Sequence, residues 1–448
     1  MASVLGIDWG THSSKWAFQT ESGNPVIGSI WDSSVYRLDD RLHLFTLDRG
    51  FQAPRRETAL KRRLIQDPGQ PFWDGIREQL GVTLGEAVVF SILCLLLDAK
   101  RTLAARRKSL LQEGSLVIRF SHPNWIAEDT VRALGCFRDA AVVAMHIFLQ
   151  AIDHKNDAQE ISIALDALRT AVQRHRGAAD RLSPFPLYYD HREYLRCAQG
   201  KVHKTKWELV FESCAAGFPY LLESEPGTYV EDLTTFPALK RIRTVLVIDV
   251  GAGSTDAGYM VRTVRPRNAQ GIMKPLLHWL PAADALEIAG RWLTDRILAD
   301  FRQQGRPGTS VEAEEYKITN QTWYTKPYVG QWTTLIGDHV AEYVRGIRDD
   351  LCLARSPALE VVLTGGSSVV SPLREETIRQ VRTALEQRGL RQAAQLLDVA
   401  RPDALGRRYR AVEVAQLAVS LGASDPRLTE LKAAPEGLVA PRGHTRHA

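Results

Sequence analysis

The stretch from residue 246 to 260 combines an apolar run that ends at Asp249, the glycines Gly251 and Gly253, and then Ser254, Thr255 and Asp256, which add hydroxyl groups and a second carboxylate. The β-branched run before Asp249 is typical of a buried strand. Gly251 and Gly253 would let the backbone turn tightly and bring its N–H groups close to a ligand. Such a strand, turn and returning strand suits a phosphate site beside a metal ion organised by Asp249. An ordinary glycine-containing hairpin turn has the same local pattern and is the alternative.

The same design occurs near the start of the chain, in residues 4–18. An apolar run ends at Asp8, and glycine and hydroxyl residues follow before a second strand. Two such hairpins predict two similar half-domains that face each other and hold one nucleotide between them. A third element, residues 359–368, is a strand that ends in Gly365 and Gly366, where the backbone can approach a base or a ribose.

In this order, the three glycine motifs resemble those of the actin, heat-shock chaperone and sugar-kinase ATPase superfamily. The closest resemblance is to the nucleotide-binding domain of heat-shock protein 70 (the DnaK type), and it spans residues 3 to 424 with gaps. It implies an α/β fold with two actin-like ATPase lobes around a nucleotide cleft. Each lobe would carry a ribonuclease-H-like mixed sheet of five strands, and the cleft would bind ATP or ADP with Mg²⁺.

The resemblance also assigns roles to individual residues. Asp8 and Asp249 would hold Mg²⁺ through water from opposite lobes. The residues implied to bind the phosphates are Gly10, Thr11 and His12 in one lobe and Gly251, Gly253, Ser254 and Thr255 in the other. Those implied to contact the nucleoside are Gly365, Gly366 and Ser367, with Glu314 and Lys317 of a Glu-x-x-Lys segment. His12 stands where the chaperones usually have threonine, and Glu-x-x-Lys is also a common surface helix pair.

Lys61 is implied to assist hydrolysis, because residues 59–64 resemble the chaperone segment that supplies a lysine to the γ-phosphate. An ammonium group there would stabilise charge that develops on the transferred phosphoryl group. A solvated basic helix and a nucleic-acid patch are the alternatives for this basic segment. Lys100, by contrast, closes a long apolar helix that begins near Leu84, and we assign it to a solvated helix end.

Glu212 is the second residue implied to act in hydrolysis. Residues 211–217 are similar to the Glu-Pro-Thr-Ala-Ala-Ala segment of the chaperones, and Ser213 replaces the usual proline. A carboxylate here would orient Mg²⁺-bound water or the attacking water. The alternative is an acid favoured at a helix N-terminus by the helix dipole.

Residues 1–235 are predicted to form lobe I, residues 236–424 lobe II, and residues 425–448 a flexible tail rich in Pro, Gly, Arg and His. Lobe I would contain an insertion at about 137–205 with helix-like stretches at 140–152 and 160–175. This insertion is either a passive surface elaboration or a partner-binding module. In lobe II, residues 284–298 have the pattern of an amphipathic helix.

Composition argues against several classes of protein. The 448 residues carry a net charge of only +5 with acids and bases interspersed, which argues against a nucleic-acid partner. The five cysteines include no Cys-x-x-Cys pair, so we expect reduced thiols. The N-terminus leads directly into a strand rather than a signal peptide, and the apolar run at 87–97 is too short to span a bilayer. We therefore expect a cytoplasmic protein without a membrane partner.

The sequence shows no counterpart of the chaperones' peptide-binding domain. The predicted function is a weak, Mg²⁺-dependent ATPase that acts as a nucleotide-dependent conformational switch on a partner protein. The alternatives are an actin-like filament-forming ATPase and a small-molecule kinase of the same superfamily. A kinase usually needs a further catalytic aspartate, and none is identified.

Overall fold

The computed structural model divides the chain into two compact units. Unit 1 consists of Met1–Ala215 and Val419–Pro426, and unit 2 consists of Ala216–Ala418 and Arg427–Ala448. The structure describes residues 2–20, 24–47, 55–66, 72–106, 108, 110, 115–150, 152–177, 205–222, 241–265, 274–279, 283, 285–306, 308–309, 312–313, 316–317, 323, 325–347, 359–369, 371–399 and 411–433. The predicted lobe boundary at residue 235 lies outside these ranges.

The protein is a mixed α/β protein. Its strands are β1 Ala2–Asp8, β2 Ser13–Thr20, β3 Val26–Ile27, β4 Trp31–Asp32, β5 Val35–Leu38, β6 Arg41–Phe45, β7 Arg56–Glu57, β8 Ser115–His122, β9 His154–Asn156, β10 Glu160–Ala164, β11 Thr205–Phe211, β12 Arg241–Val250, β13 Thr255–Arg265, β14 Lys274–Trp279, β15 Leu359–Thr364, β16 Leu397–Val399 and β17 Leu431–Ala433. Its helices are α1 Leu60–Gln66, α2 Leu84–Ala105, α3 Glu128–Phe148, α4 Leu165–His175, α5 Glu212–Leu222, α6 Gly290–Gln303, α7 Pro327–Gly346, α8 Ser371–Gln387, α9 Arg391–Leu396 and α10 Ala411–Ser424.

The first sheet of unit 1 has the strand order β11-β8-β1-β2-β3, and β4 pairs with β2 beside this path. Strands β11, β8 and β1 run parallel, whereas β1 and β2 form an antiparallel hairpin. Because the carboxyl ends of parallel strands meet at one edge of a sheet, Asp8, Ser121 and Val210 lie level with one another. As far as the described residues go, this sheet has six strands, one more than the resemblance implies.

Helix α2 is the central helix of unit 1. It begins after Thr83, which forms a capping box with Glu86. Its apolar residues are buried around the whole circumference of the helix, as expected for a core helix. The buried Asp98 accepts hydrogen bonds from the indole N–H groups of Trp16 at 2.7 Å and Trp31 at 2.9 Å. These bonds attach α2 to β2 and β4.

The described part of the predicted insertion is built into unit 1. Strands β9 and β10 extend a second sheet of order β7-β5-β6-β10-β9, in which β10 pairs with β6. The stretch 160–175 was predicted as a helix, but its first five residues form β10 and only Leu165–His175 is helical. Apolar and β-branched residues in 161–163 favour a strand once β6 is available as a partner. The helix predicted at 140–152 ends at Phe148 and begins at Glu128, before the insertion.

Unit 2 is organised around a sheet of order β16-β15-β12-β13-β14-β17, six strands among the described residues. Strands β12 and β13 form an antiparallel hairpin, and β12 also pairs in parallel with β15. Apolar side chains of α7, including Trp332, Ile336 and Val340, belong to one buried cluster with Leu246 and other residues of this sheet.

Two predicted elements of this half of the chain differ in the structure. The helix predicted at 284–298 begins only at Gly290, because Leu286 pairs with Thr255 beside the hairpin and keeps the chain extended. Residues 426–433, predicted to belong to the flexible tail, form a 3-10 helix and strand β17. Strand β17 pairs in parallel with β14, and this backbone pairing orders the segment although polar residues precede it. Among the described helices, none combines the length and apolar character that crossing a membrane requires.

Candidate functional site

The hairpin β1–β2 of unit 1 places a buried acid opposite a buried base. Asp8 and Lys15 are direct partners in the antiparallel register, so their side chains lie on the same face of the sheet. The Lys15 Nζ atom is 2.8 Å from the Asp8 carboxylate, and both side chains are almost fully buried. Ser121 of β8 donates a longer hydrogen bond of 3.5 Å to the same carboxylate. The predicted metal-organising acid is therefore already neutralised by an ammonium group within its own hairpin.

The turn of this hairpin carries Gly10, Thr11 and His12, all partly exposed. A Cβ atom on Gly10 would overlap the carbonyl oxygen of Ser13, so the turn requires a glycine there. The carbonyl oxygen of His12 accepts a 3.0 Å hydrogen bond from the Ser33 amide. The three residues predicted to bind phosphate therefore lie together in the turn between β1 and β2.

Lys61 and Glu212 form a buried ion pair in unit 1. Lys61 lies in the first turn of α1, and Glu212 is the first residue of α5, directly after β11. Both side chains are less than a tenth exposed. Glu212 therefore stands at the same sheet edge as Asp8, where the carboxyl ends of β1, β8 and β11 meet. Two buried charges are costly to separate, because each would then lack a partner. The pair therefore holds α1 at this edge of the sheet.

The loop after β8 packs against the first turn of α5. Ser213 Oγ donates a 3.0 Å hydrogen bond to Asn124 Oδ1, and both residues are completely buried. The His122 Nδ1 atom lies 2.6 Å from the Pro123 carbonyl oxygen, which can only accept, so Nδ1 carries the proton. Burial, together with the nearby positive charge of Lys61, lowers the pKa of His122 from 6.5 to about 3. The imidazole beside Lys61 is therefore neutral at physiological pH.

The hairpin β12–β13 of unit 2 repeats the geometry with a different partner. Asp249 and Asp256 are direct partners in the register, and each is almost completely buried. Thr364 Oγ1 donates to Asp249 at 2.9 Å, and Ser254 Oγ donates to Asp256 at 2.8 Å. Two carboxylates that face each other in a strand pair repel, and a cation bound nearby would offset that repulsion.

The turn of this hairpin is joined to the start of α6. The Gly251 amide donates to the Ser254 carbonyl at 2.9 Å, which closes the turn that contains Gly253. The Gly251 carbonyl in turn accepts from the Gly290 amide at 3.0 Å. Thr255, the first residue of β13, uses its hydroxyl to reach the Ile288 carbonyl at 2.7 Å. The Thr255 hydroxyl is therefore already hydrogen-bonded within the protein. Of the two hydroxyl residues predicted to bind phosphate here, only Ser254 lies in the turn.

The third glycine motif lies beside the same turn. Gly365 has φ of +87°, and a Cβ atom there would overlap the Val250 carbonyl and come within 2.8 Å of the Asp249 carboxylate. Gly366 and Ser367 begin the 3-10 helix Gly366–Val369. A Cβ atom on Gly290 would overlap Ser367 Oγ, which places Ser367 against the first turn of α6. Unit 2 thus gathers the second and third motifs at one place.

Lys317 is buried, and its Nζ atom donates to the Gly290 carbonyl at 3.1 Å. It therefore belongs to the same cluster as Ser367 rather than to an exposed helix pair. Glu314, its predicted companion, lies outside the described residues.

The glycine turn and Lys15 of unit 1 suit phosphate groups, and the buried acids and glycine turns of unit 2 suit a hydrated Mg²⁺ ion. Mg²⁺ retains several waters and is usually bound through one or two carboxylates together with substrate phosphates. The buried acids Asp249 and Asp256, with the glycine turns that bring backbone close to them, suit that mode of binding. Within the described ranges no three or more His, Cys, Asp or Glu residues form a cluster that would hold a metal directly.

Sequence reasoning missed three contributors to these clusters, Lys15, Thr364 and Gly290, and it named Asp256 only as a further carboxylate without a role. Lys15 and Asp256 each follow the motif aspartate by seven residues, which is the signal that could have found them in a hairpin with this turn. Thr364 and Gly290 have no such local signal, because they come from separate elements. No protein-family model matches the chain, and no similar curated protein is found.

Proposed function

We propose that this protein binds Mg·ATP, hydrolyses it slowly and acts as a nucleotide-dependent conformational switch on a partner protein. In this proposal the two units are actin-like ATPase lobes similar to the nucleotide-binding domain of heat-shock protein 70. The observation that carries the proposal is the repeated hairpin: each unit has a buried aspartate at the end of a strand, a glycine turn, and a charged residue paired with the aspartate. The charged residue opposite the aspartate is Lys15 in unit 1 and Asp256 in unit 2.

The two hairpins carry different charged residues and would therefore bind different parts of Mg·ATP. Lys15 supplies a positive charge for phosphate oxygens, while Asp249 and Asp256 favour the cation that accompanies a nucleotide. When bound, Mg²⁺ would neutralise phosphate charge and orient the nucleotide. The buried position of Lys61 beside Glu212 supports a role in hydrolysis, because both residues are held at the carboxyl edge of the parallel strands.

The switch requires that ATP and ADP favour different conformations, since a ligand shifts an equilibrium only by its differential affinity. A partner protein would bind these two conformations with different affinities. If the protein captures its partner equally well with ATP, with ADP and without nucleotide, it is not a switch. Sedimentation that depends on ATP would instead favour the filament-forming alternative.

Binding and hydrolysis are tested together in the wild type, Lys61→Ala and Lys100→Ala. Mg·ATP at about 100 times its Kd should stabilise all three proteins by about 2.7 kcal/mol, measured as a shift of the thermal midpoint and by calorimetry. Lys61→Ala should reduce phosphate release by about tenfold or more, because its ammonium acts mainly in the transition state.

Lys100 is the matched control, because it is an exposed lysine of α2 in the same unit. Lys100→Ala should hydrolyse ATP at the wild-type rate. Absence of any heat or thermal shift with saturating Mg·ATP would overturn the proposal, and equal loss of activity in both variants would overturn the role of Lys61.

A further inference from the structure

Two buried polar residues hold the first turn of α5 against the loop that follows β8. Strands β8 and β11 are parallel neighbours, and their last residues, His122 and Phe211, are partners in the register. Asn124 and Ser213 each lie two residues beyond these partners and are joined by their 3.0 Å hydrogen bond. Glu212 thus stands between a residue fixed in the sheet and a residue fixed by this bond.

Ser213 is also one of the positions where the chain departs from the chaperone pattern, which has proline here. Proline is acceptable in the first turn of a helix, but its side chain can donate no hydrogen bond. A buried hydrogen bond adds little stability compared with an apolar pair of the same shape, whereas breaking it leaves a buried group unsatisfied. Stability alone is therefore a weak reason for a polar pair here, next to the buried ion pair of Glu212 and Lys61.

We propose that Asn124 and Ser213 are positioning residues that fix the Glu212 carboxylate and, through it, the Lys61 ammonium for ATP hydrolysis. The catalytic part rests on the proposed function. The neutral His122 supports this arrangement, because it places no second positive charge beside Lys61 to compete for Glu212. Loss of the Asn124–Ser213 bond would let the first turn of α5 shift, and small misplacements of reacting groups have large effects on rate.

The test compares Ser213→Ala, Ser213→Thr and Ser162→Ala with the wild type. Ser213→Ala should lower kcat for ATP hydrolysis about tenfold while KM changes by less than about twofold, and Ser213→Thr, which keeps the hydroxyl, should restore most of kcat. Ser162 is a matched control, because it is a buried serine of the second sheet of unit 1 whose Oγ accepts a 3.2 Å hydrogen bond from Arg41. Ser162→Ala should lower stability without changing kcat.

A second readout needs neither nucleotide nor activity. The side chain of Lys61 is 5% exposed, so an amine-reactive ester should label it slowly in the wild type. In nucleotide-free Ser213→Ala, peptide mass spectrometry should show about fivefold faster labelling of Lys61, because local opening exposes the group more often. Ser162→Ala should label at the wild-type rate.

Unchanged labelling of Lys61 in Ser213→Ala would overturn the positioning role, whatever the activity. A stability loss in Ser213→Ala with kcat unchanged would overturn its catalytic part. A wild-type protein that neither binds nor hydrolyses Mg·ATP would instead refute the proposed function, and faster labelling in Ser213→Ala would then leave the bond as a determinant of Lys61 position only.

Discussion

At the scale of residues, one buried position gives the motif aspartates of the two hairpins different charged partners. Seven residues after the motif aspartate, unit 1 has Lys15 and unit 2 has Asp256. In the antiparallel register this residue faces the aspartate directly, so it decides whether an ammonium group or a second carboxylate lies opposite the aspartate. Asp8 is paired with the ammonium group of Lys15, whereas Asp249 faces the carboxylate of Asp256. Under the proposed function, the unit 1 hairpin would bind phosphate and the unit 2 hairpin would bind the cation.

His122 makes the stability of the protein depend on pH. Its pKa is lowered to about 3 in the folded protein, mainly by burial, from an ordinary value of 6.5. Between these values the unfolded chain binds a proton that the folded chain does not. Stability contributed by the neutral imidazole is therefore complete above about pH 6.5 and is lost as the pH falls toward 3.

His122→Asn should make stability less dependent on pH in this range. The asparagine amide can replace the Nδ1–H donor to the Pro123 carbonyl but does not titrate. When the pH is lowered from 7 to 5, the guanidinium unfolding midpoint should fall further in the wild type than in the variant. Parallel decreases in both proteins would show that His122 is not the group responsible.

At the scale of elements, close approach of backbones limits which residues are tolerated. Gly422 in α10 lies against α5, and a Cβ atom there would overlap the Ala215 carbonyl oxygen. Gly6 in β1 faces the end of α10 in the same way, near the Ser424 amide. Glycine at both positions lets α10 pack directly on the sheet and on α5 within unit 1.

Gly422→Ala should destabilise the protein by about 3 kcal/mol, because rigid backbone rather than a flexible side chain must move. Gly135→Ala in α3 is the matched control, since a Cβ atom there has no atom of the described chain within 4 Å. It should stabilise the protein by about 0.5 to 1 kcal/mol through helix propensity. Both values are measured by guanidinium unfolding, and a neutral Gly422→Ala would contradict the packing.

At the scale of the whole molecule, unit 1 is completed by a segment from the far end of the sequence. Arg119 of β8 is buried and pairs with Glu208 at 2.7 Å. It also donates to the carbonyl oxygens of Ala423 at 3.0 Å and Asp425 at 2.6 Å. These carbonyls lie at the end of α10, where a helix leaves acceptors without intrahelical partners.

Truncation after Ala418 should therefore destabilise unit 1, because Arg119 loses both carbonyl acceptors and the sheet loses its cover at Gly6. Truncation after Ala433 removes no described residue and is the control. Guanidinium unfolding followed by tryptophan fluorescence should show a lower midpoint for the shorter protein only, since Trp9 and Trp16 lie in the core of unit 1. Equal midpoints would show that residues 419–426 are dispensable.

The sequence by itself determined the elements whose signals are local. The two hairpins, the strand before Gly365 and the start of α2 near Leu84 all lie where the patterns predict them. Apolar periodicity, turn glycines and helix caps act over a few residues, so they survive in any tertiary context. The α/β class follows from the same signals.

Only the tertiary structure decided the features that depend on distant partners. Residues 160–164 became a strand because β6 offers an edge, α6 began late because Leu286 pairs with Thr255, and residues 431–433 were ordered by β14. The Lys61–Glu212 pair joins positions 151 residues apart, and Thr364, Gly290 and Lys317 reach one cluster from separate elements. Backbone pairing and burial across long separations carry no local signal, so the chain expresses them only once it is folded.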